Sequence, residues 1–196
     1  MKFGGLTLFD ACMECSVCDG AGYQAPPALF VGNLASPILI VGPSPNEITE
    51  PLELAELKDG HGMSSDVFYT LFQKWFTTEP ISDRIGRLLS YPSWWDTFLY
   101  TAHVRCRTKG DLFSSNQKRL ACSVWTSQLA HQRKGLIVLG MTASLQVFGA
   151  DITAKIVTRR LSKFKGKLAL PLTLEAEDED ADRKAVVAFL KKVGVS

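Results

Sequence analysis

The chain has 196 residues, of which 46% are hydrophobic and 21% charged, and its formal net charge is +2. That length gives a single domain, 1–196, able to bury a full core, and the composition is that of an ordinary globular protein. A charge this near balance does not identify a nucleic-acid binder, and no apolar run reaches the ~20 residues of a membrane span.

The N-terminus lacks the apolar centre of a signal peptide, which argues against export. An odd count of five cysteines suits thiolates in a reducing, cytoplasmic setting better than a disulfide scaffold.

Residues 1–29 read as an irregular opening. Leu6, Leu8 and Phe9 suggest a short helix leading into the run Cys12-Met-Glu-Cys15-Ser-Val-Cys18. Gly20, Gly22, Pro26 and Pro27 then interrupt regular structure, and Leu29-Phe-Val31 suggests a short strand. Ile38-Leu-Ile-Val41, bounded by Pro37 and Gly42, is the pattern of a strand buried on both faces. The loop beyond it, Gly42-Pro-Ser44-Pro-Asn46-Glu47, is placed where α/β sheets bind ligands. A proline-stiffened turn without chemistry is the plain alternative.

Residues 49–60 are acidic and read as exposed. Val67, Phe68, Leu71, Phe72 and Trp75 recur at helical spacing behind a Ser64 or Ser65 cap, and form a core face. A second short helix covers Ser82–Leu89. Thr97–Val104 reads as another inner strand and runs into Arg105-Cys106-Arg107. Ser114-Ser-Asn-Gln117 has the form of a capping box. The helix it opens carries Cys122 and reaches His131.

Leu136–Leu139 is a third buried strand, and a helix follows through Phe148-Gly149. Arg159, Arg160, Lys163, Lys165 and Lys167 make a basic stretch, and Lys167–Leu170 suggests a fourth strand. Glu175–Asp180 reads as a solvated acidic loop. Ala181–Val193 closes the chain as an amphipathic helix with Val186, Phe189, Leu190 and Val193 inward. Strands alternating with helices predict an α/β fold, three layers α/β/α, around a central, mostly parallel sheet of about four strands.

The cysteines carry the sharpest chemistry. Cys15 and Cys18 form a close pair, with Cys12-x2-Cys15 as a rival pair of the same spacing. Cys106 and Cys122 lie far downstream. Four thiolates suit either zinc or an iron–sulfur cluster. The second pair is too widely spaced for a zinc knuckle, which leans towards a cluster. Scattered core thiols are the alternative.

Together these motifs resemble the iron–sulfur uracil-DNA glycosylases of the uracil-DNA glycosylase superfamily. The resemblance rests on Cys15-x2-Cys18, Ile40-Val-Gly-Pro-Ser-Pro-Asn46, Gly62-Met-Ser-Ser-Asp-Val-Phe68, Ala102-His-Val-Arg-Cys-Arg107, the Cys106-to-Cys122 spacing, and Leu136-Ile-Val-Leu-Gly-Met-Thr-Ala143. It covers about residues 12 to 149. It implies a uracil-DNA glycosylase-like fold and a structural [4Fe-4S] cluster on Cys15, Cys18, Cys106 and Cys122, with zinc as the other metal open to the set. It also implies DNA as partner, held through phosphates by Arg105, Arg107 and Lys109, with Lys118 and Arg119 on the same loop and helix. Gly42, Ser44 and Asn46 would line the base pocket.

The departures fall on the reactive positions. Where the family places an acid after the loop glycine stands Pro43. Its pyrimidine-reading asparagine corresponds to Ala102. Its stacking aromatic corresponds to Gly60 or His61, and its His-Pro-Ser loop to Pro171–Glu175. Glu47, Glu50, His61 and His103 are weak stand-ins as catalytic groups, and Asp66 is another acid within reach. Strand alternation, however, turns His103 to the face opposite Ala102.

These substitutions imply a DNA-binding cluster protein whose uracil excision is reduced, altered or absent. An active divergent glycosylase that hydrolyses the N-glycosidic bond of uracil or a modified pyrimidine in base-excision repair is the alternative. A zinc-stabilised protein unrelated to DNA is a third reading.

Overall fold

Two apolar pentapeptides, Ile38-Leu-Ile-Val-Gly42 and Gly135-Leu-Ile-Val-Leu139, run side by side in a computed structural model, and every residue of both is buried. The structure describes residues 2–3, 6–7, 30–42, 79–90, 94–103, 116–149, 156, 159–174 and 178–195. In chain order the elements are β1 (Lys2–Phe3), β2 (Leu6–Thr7), β3 (Val31–Gly32), β4 (Ile38–Gly42), α1 (Glu79–Leu89), a 3-10 turn (Trp94–Asp96), β5 (Leu99–Ala102), α2 (Asn116–His131), β6 (Gly135–Leu139), α3 (Met141–Phe148), β7 (Ser162–Phe164), β8 (Lys167–Leu172) and α4 (Glu179–Lys192).

Strands β3 to β8 form a six-stranded sheet in the order β3-β5-β4-β6-β8-β7. The inner four, β5, β4, β6 and β8, are parallel, and the short edge strands β3 and β7 are antiparallel to their neighbours. The parallel four are the strands expected from the sequence. The β7 edge was not, and it occupies part of the stretch read only as basic. Leu6 lies in a two-residue strand paired with Lys2–Phe3, not in the expected opening helix. A strand pair needs only local antiparallel contact, whereas three scattered apolar residues cannot nucleate a helix.

Alternation along the strands divides the interior into two layers. Ile38, Ile40, Tyr100, Ala102, Ile137, Leu139, Leu170 and Leu172 face one side, where they pack with Ile85 and Leu88 of α1 and with Val186 and Phe189 of α4. Leu39, Val41, Leu99, Leu136, Val138 and Ala169 face the other, where they meet Trp125 and Leu129 of α2 and Val147 of α3. Helices thus cover both faces, which is why the inner strands read as continuous apolar runs. Burying each large aliphatic side chain contributes about 1.5–3 kcal/mol. Among the described residues, no helix is long and apolar enough to cross a membrane.

Helix α4 begins inside the run expected to be a loop. The Asp178 carboxylate accepts from the Ala181 amide at 2.9 Å, and Glu179, Asp180 and Asp182 fill the first turn. Acidic residues are favoured there by the helix dipole. The end of the acidic run is therefore a helix start, and its charge has a structural use.

Candidate functional site

The next described helix after β4 is α1 on one face, and α3 after β6 lies on the other. The carboxyl ends of the strands are the place where parallel α/β sheets take ligands.

Gly42, Ala102, His103, Gly140 and the 172–174 segment meet at this end. Gly42 and Ala102 are register partners, the His103 amide donates to the Gly42 carbonyl at 2.9 Å, and the Gly140 amide donates to the Leu172 carbonyl at 2.8 Å. Gly140 has φ +93° and directly precedes α3. A β-carbon there would lie 3.1 Å from Leu174, so backbone geometry and space both call for glycine.

Gly42, expected in the base pocket, has a packing role. A β-carbon on it would fall 1.8 Å from the Tyr100 hydroxyl oxygen. The Tyr100 ring crosses diagonally from β5 and fills the place a side chain would take. Tyr100 is fully enclosed and burial pushes its phenol pKa up, so the hydroxyl stays protonated.

Ala102, at the position matching the base-reading asparagine, is buried with its methyl in the α1-side core. His103 points the other way, as alternation requires. It is 0% exposed, its Nδ1 shares a 3.0 Å hydrogen bond with Thr126 Oγ1 of α2, and its ring meets Phe164 edge-on at 6.3 Å. The α2 face of the sheet holds this imidazole.

Cys122 lies in the second turn of α2 and is buried. The remaining predicted positions fall outside the described residues: Cys12, Cys15, Cys18, Ser44, Asn46, Glu47, Glu50, His61, Asp66, Arg105, Cys106, Arg107 and Lys109. Among the described residues no three potential ligands converge. Cys122 offers a sulfur shielded from water, and in the sequence Cys106 follows His103 by three positions. A sulfur-rich set of this kind suits zinc or iron–sulfur chemistry.

A buried charge cluster joins α1 and α4, and the sequence reading missed it. The Asp182 carboxylate on α4 receives Arg84 Nη2 of α1 and Arg159 Nε, each at 2.5 Å. Arg84 Nε also donates to the Leu174 carbonyl at 3.1 Å. Arg84 thus fixes the segment just after β8, in the region matching the family's His-Pro-Ser loop. Nothing in the spacing flagged it, because Asp182 looks like one more acid on a solvated helix face.

No family model matches the chain, and no curated protein matches it. The fold defines an α/β protein with a mostly parallel sheet.

Proposed function

We propose that the chain is an iron–sulfur protein of the uracil-DNA glycosylase superfamily that binds DNA, with ordinary uracil excision reduced, altered or absent. Cys15, Cys18, Cys106 and Cys122 would hold a [4Fe-4S] cluster that braces the loop bearing Arg105, Arg107 and Lys109. Those cations would bind backbone phosphates without reading sequence.

The observation that carries the reading is the pairing of Gly42 with Ala102 at the carboxyl edge of the sheet. The two motif ends that would form a base pocket stand side by side, and neither carries a side chain able to bind a pyrimidine edge or move a proton. An amide at the Ala102 position would match the donors and acceptors of uracil, and a methyl cannot. Losing one well-placed catalytic group costs ~10²–10⁴ in rate, and several are absent here.

The test combines anaerobic purification with an excision assay. The expected protein is brown, carries iron and sulfide in cluster proportion, and retains plain DNA at low salt. It leaves uracil-containing single- and double-stranded DNA free of alkali-labile sites. An iron-free, colourless preparation overturns the cluster. Rapid excision that disappears in Glu47→Ala replaces this reading with an active glycosylase.

A further inference from the structure

We propose that the groove between α2 and the β7–β8 hairpin is a second phosphate-binding surface, on which the protein carries a stretch of nucleic-acid backbone. The choice of nucleic acid as the polymer rests on the DNA reading above. The groove itself does not.

It has a volume of about 340 Å³ and is walled by Val124, Ser127, Gln128 and His131 of α2 and by Lys165 and Lys167 of the hairpin. No carboxylate among the described residues lines it. The Lys165-Gly166 turn has φ +47° and +81°, the tight two-residue geometry of a hairpin, and Lys165 is exposed at its tip. Lys167 begins β8, on the face turned to α2.

Of the five cations between 159 and 167, Arg159 is engaged by Asp182. Arg160, Lys163, Lys165 and Lys167 make no ion pair among the described residues. Two of these line the groove. Lys163 on edge strand β7 pairs with Leu168 and turns to the α4 side of the sheet, so the charge of the groove comes from Lys165 and Lys167.

Two lysines with no described carboxylate beside them complement the charge of a phosphate backbone. Among the described residues no Phe, Tyr or Trp lines the groove and its one ring is the His131 imidazole, so contacts there go mainly to backbone rather than to stacked bases. The hairpin turn precedes β8, which runs parallel to β6, so the groove lies at the amino ends of the parallel strands. It is separated from the Gly42–Ala102 pair by the length of a five-residue strand, roughly 16 Å. One polymer could engage both ends of the molecule. The competing explanation is that the lysines merely protect an edge strand from pairing, which predicts no part in binding.

The experiment is fluorescence anisotropy with an unmodified single-stranded DNA over a range of salt, using wild type, Lys165→Gln/Lys167→Gln and Arg105→Gln/Arg107→Gln. Thermal unfolding confirms that each variant folds. The lysine pair is expected to weaken binding several-fold at low salt and to lower the slope of log Kobs against log salt by about 1.4, or 0.7 per lost phosphate contact.

Unchanged affinity and slope in the lysine variant, with the arginine variant impaired, overturns the groove and leaves the DNA reading standing. A loss confined to the lysine variant upholds the groove and overturns the role of the Arg105 loop. A wild type that does not bind DNA overturns both.

Discussion

At the residue scale, Gly42 shows how a motif position can be structural. The sequence marks it as the first residue of a ligand loop, whereas the structure shows the Tyr100 hydroxyl standing where its β-carbon would be. Tyr100 is 1% exposed and wedged against Trp94, with ring centroids 6.3 Å apart, so it has little room to yield. Gly42→Ala is therefore expected to destabilise by about 2 kcal/mol, as overpacking does. That lowers the melting temperature by roughly 4–8 °C in a chain of this size. The double variant Gly42→Ala/Tyr100→Phe removes the clashing oxygen and should recover part of the loss. A thermal-melt cycle checks this, and strictly additive effects of the two changes would show that the contact is not made.

At the element scale, charge buried between helices outweighs charge on their surfaces. Asp182 is 3% exposed at its side chain and faces Arg84 at 4%, whereas Arg183, 42% exposed, pairs with Glu179 in the same helix. Removing one partner of a buried pair leaves an uncompensated charge and costs about 3–5 kcal/mol. Losing an exposed i,i+4 pair costs about 0.3–0.5 kcal/mol. Asp182→Asn should thus lower the melting temperature on the order of 10 °C, and Arg183→Ala should barely change it. Equal effects would show that the Arg84–Asp182–Arg159 contact does not tie α1 and α4 together. Sequence could not reveal this cluster, because its members are separated by 98 and 23 positions and each looks like an ordinary helix-face or loop charge.

Across the whole molecule, the four parallel strands and the helices at 79–89, 116–131, 141–148 and 179–192 were legible because each follows a local rule. Doubly buried strands are unbroken apolar runs, the capping-box pattern announces the helix at 116–131, and apolar residues at helical spacing mark the closing helix. The β7 edge was not legible: its three residues carry one buried side chain, and only the Lys165-Gly166 turn hints at a hairpin. The site was legible only in part. Alternation correctly sent His103 away from Ala102, but the enclosure of His103 by Thr126 and Phe164 depends on packing that no spacing encodes.

Among the described residues, both apolar layers are built from residues at or after position 30. Cys15→Ser/Cys18→Ser should therefore give a colourless chain that keeps its helical and strand circular dichroism and a cooperative melt, while DNA affinity falls as the Arg105–Lys109 loop loses its brace. Cys122 is the wrong ligand to change for this purpose, because a serine there would bury a hydroxyl and destabilise α2 on its own account. If the Cys15/Cys18 variant instead loses its cooperative transition, the cluster belongs to the core itself, and the sheet cannot be treated as a scaffold independent of its metal.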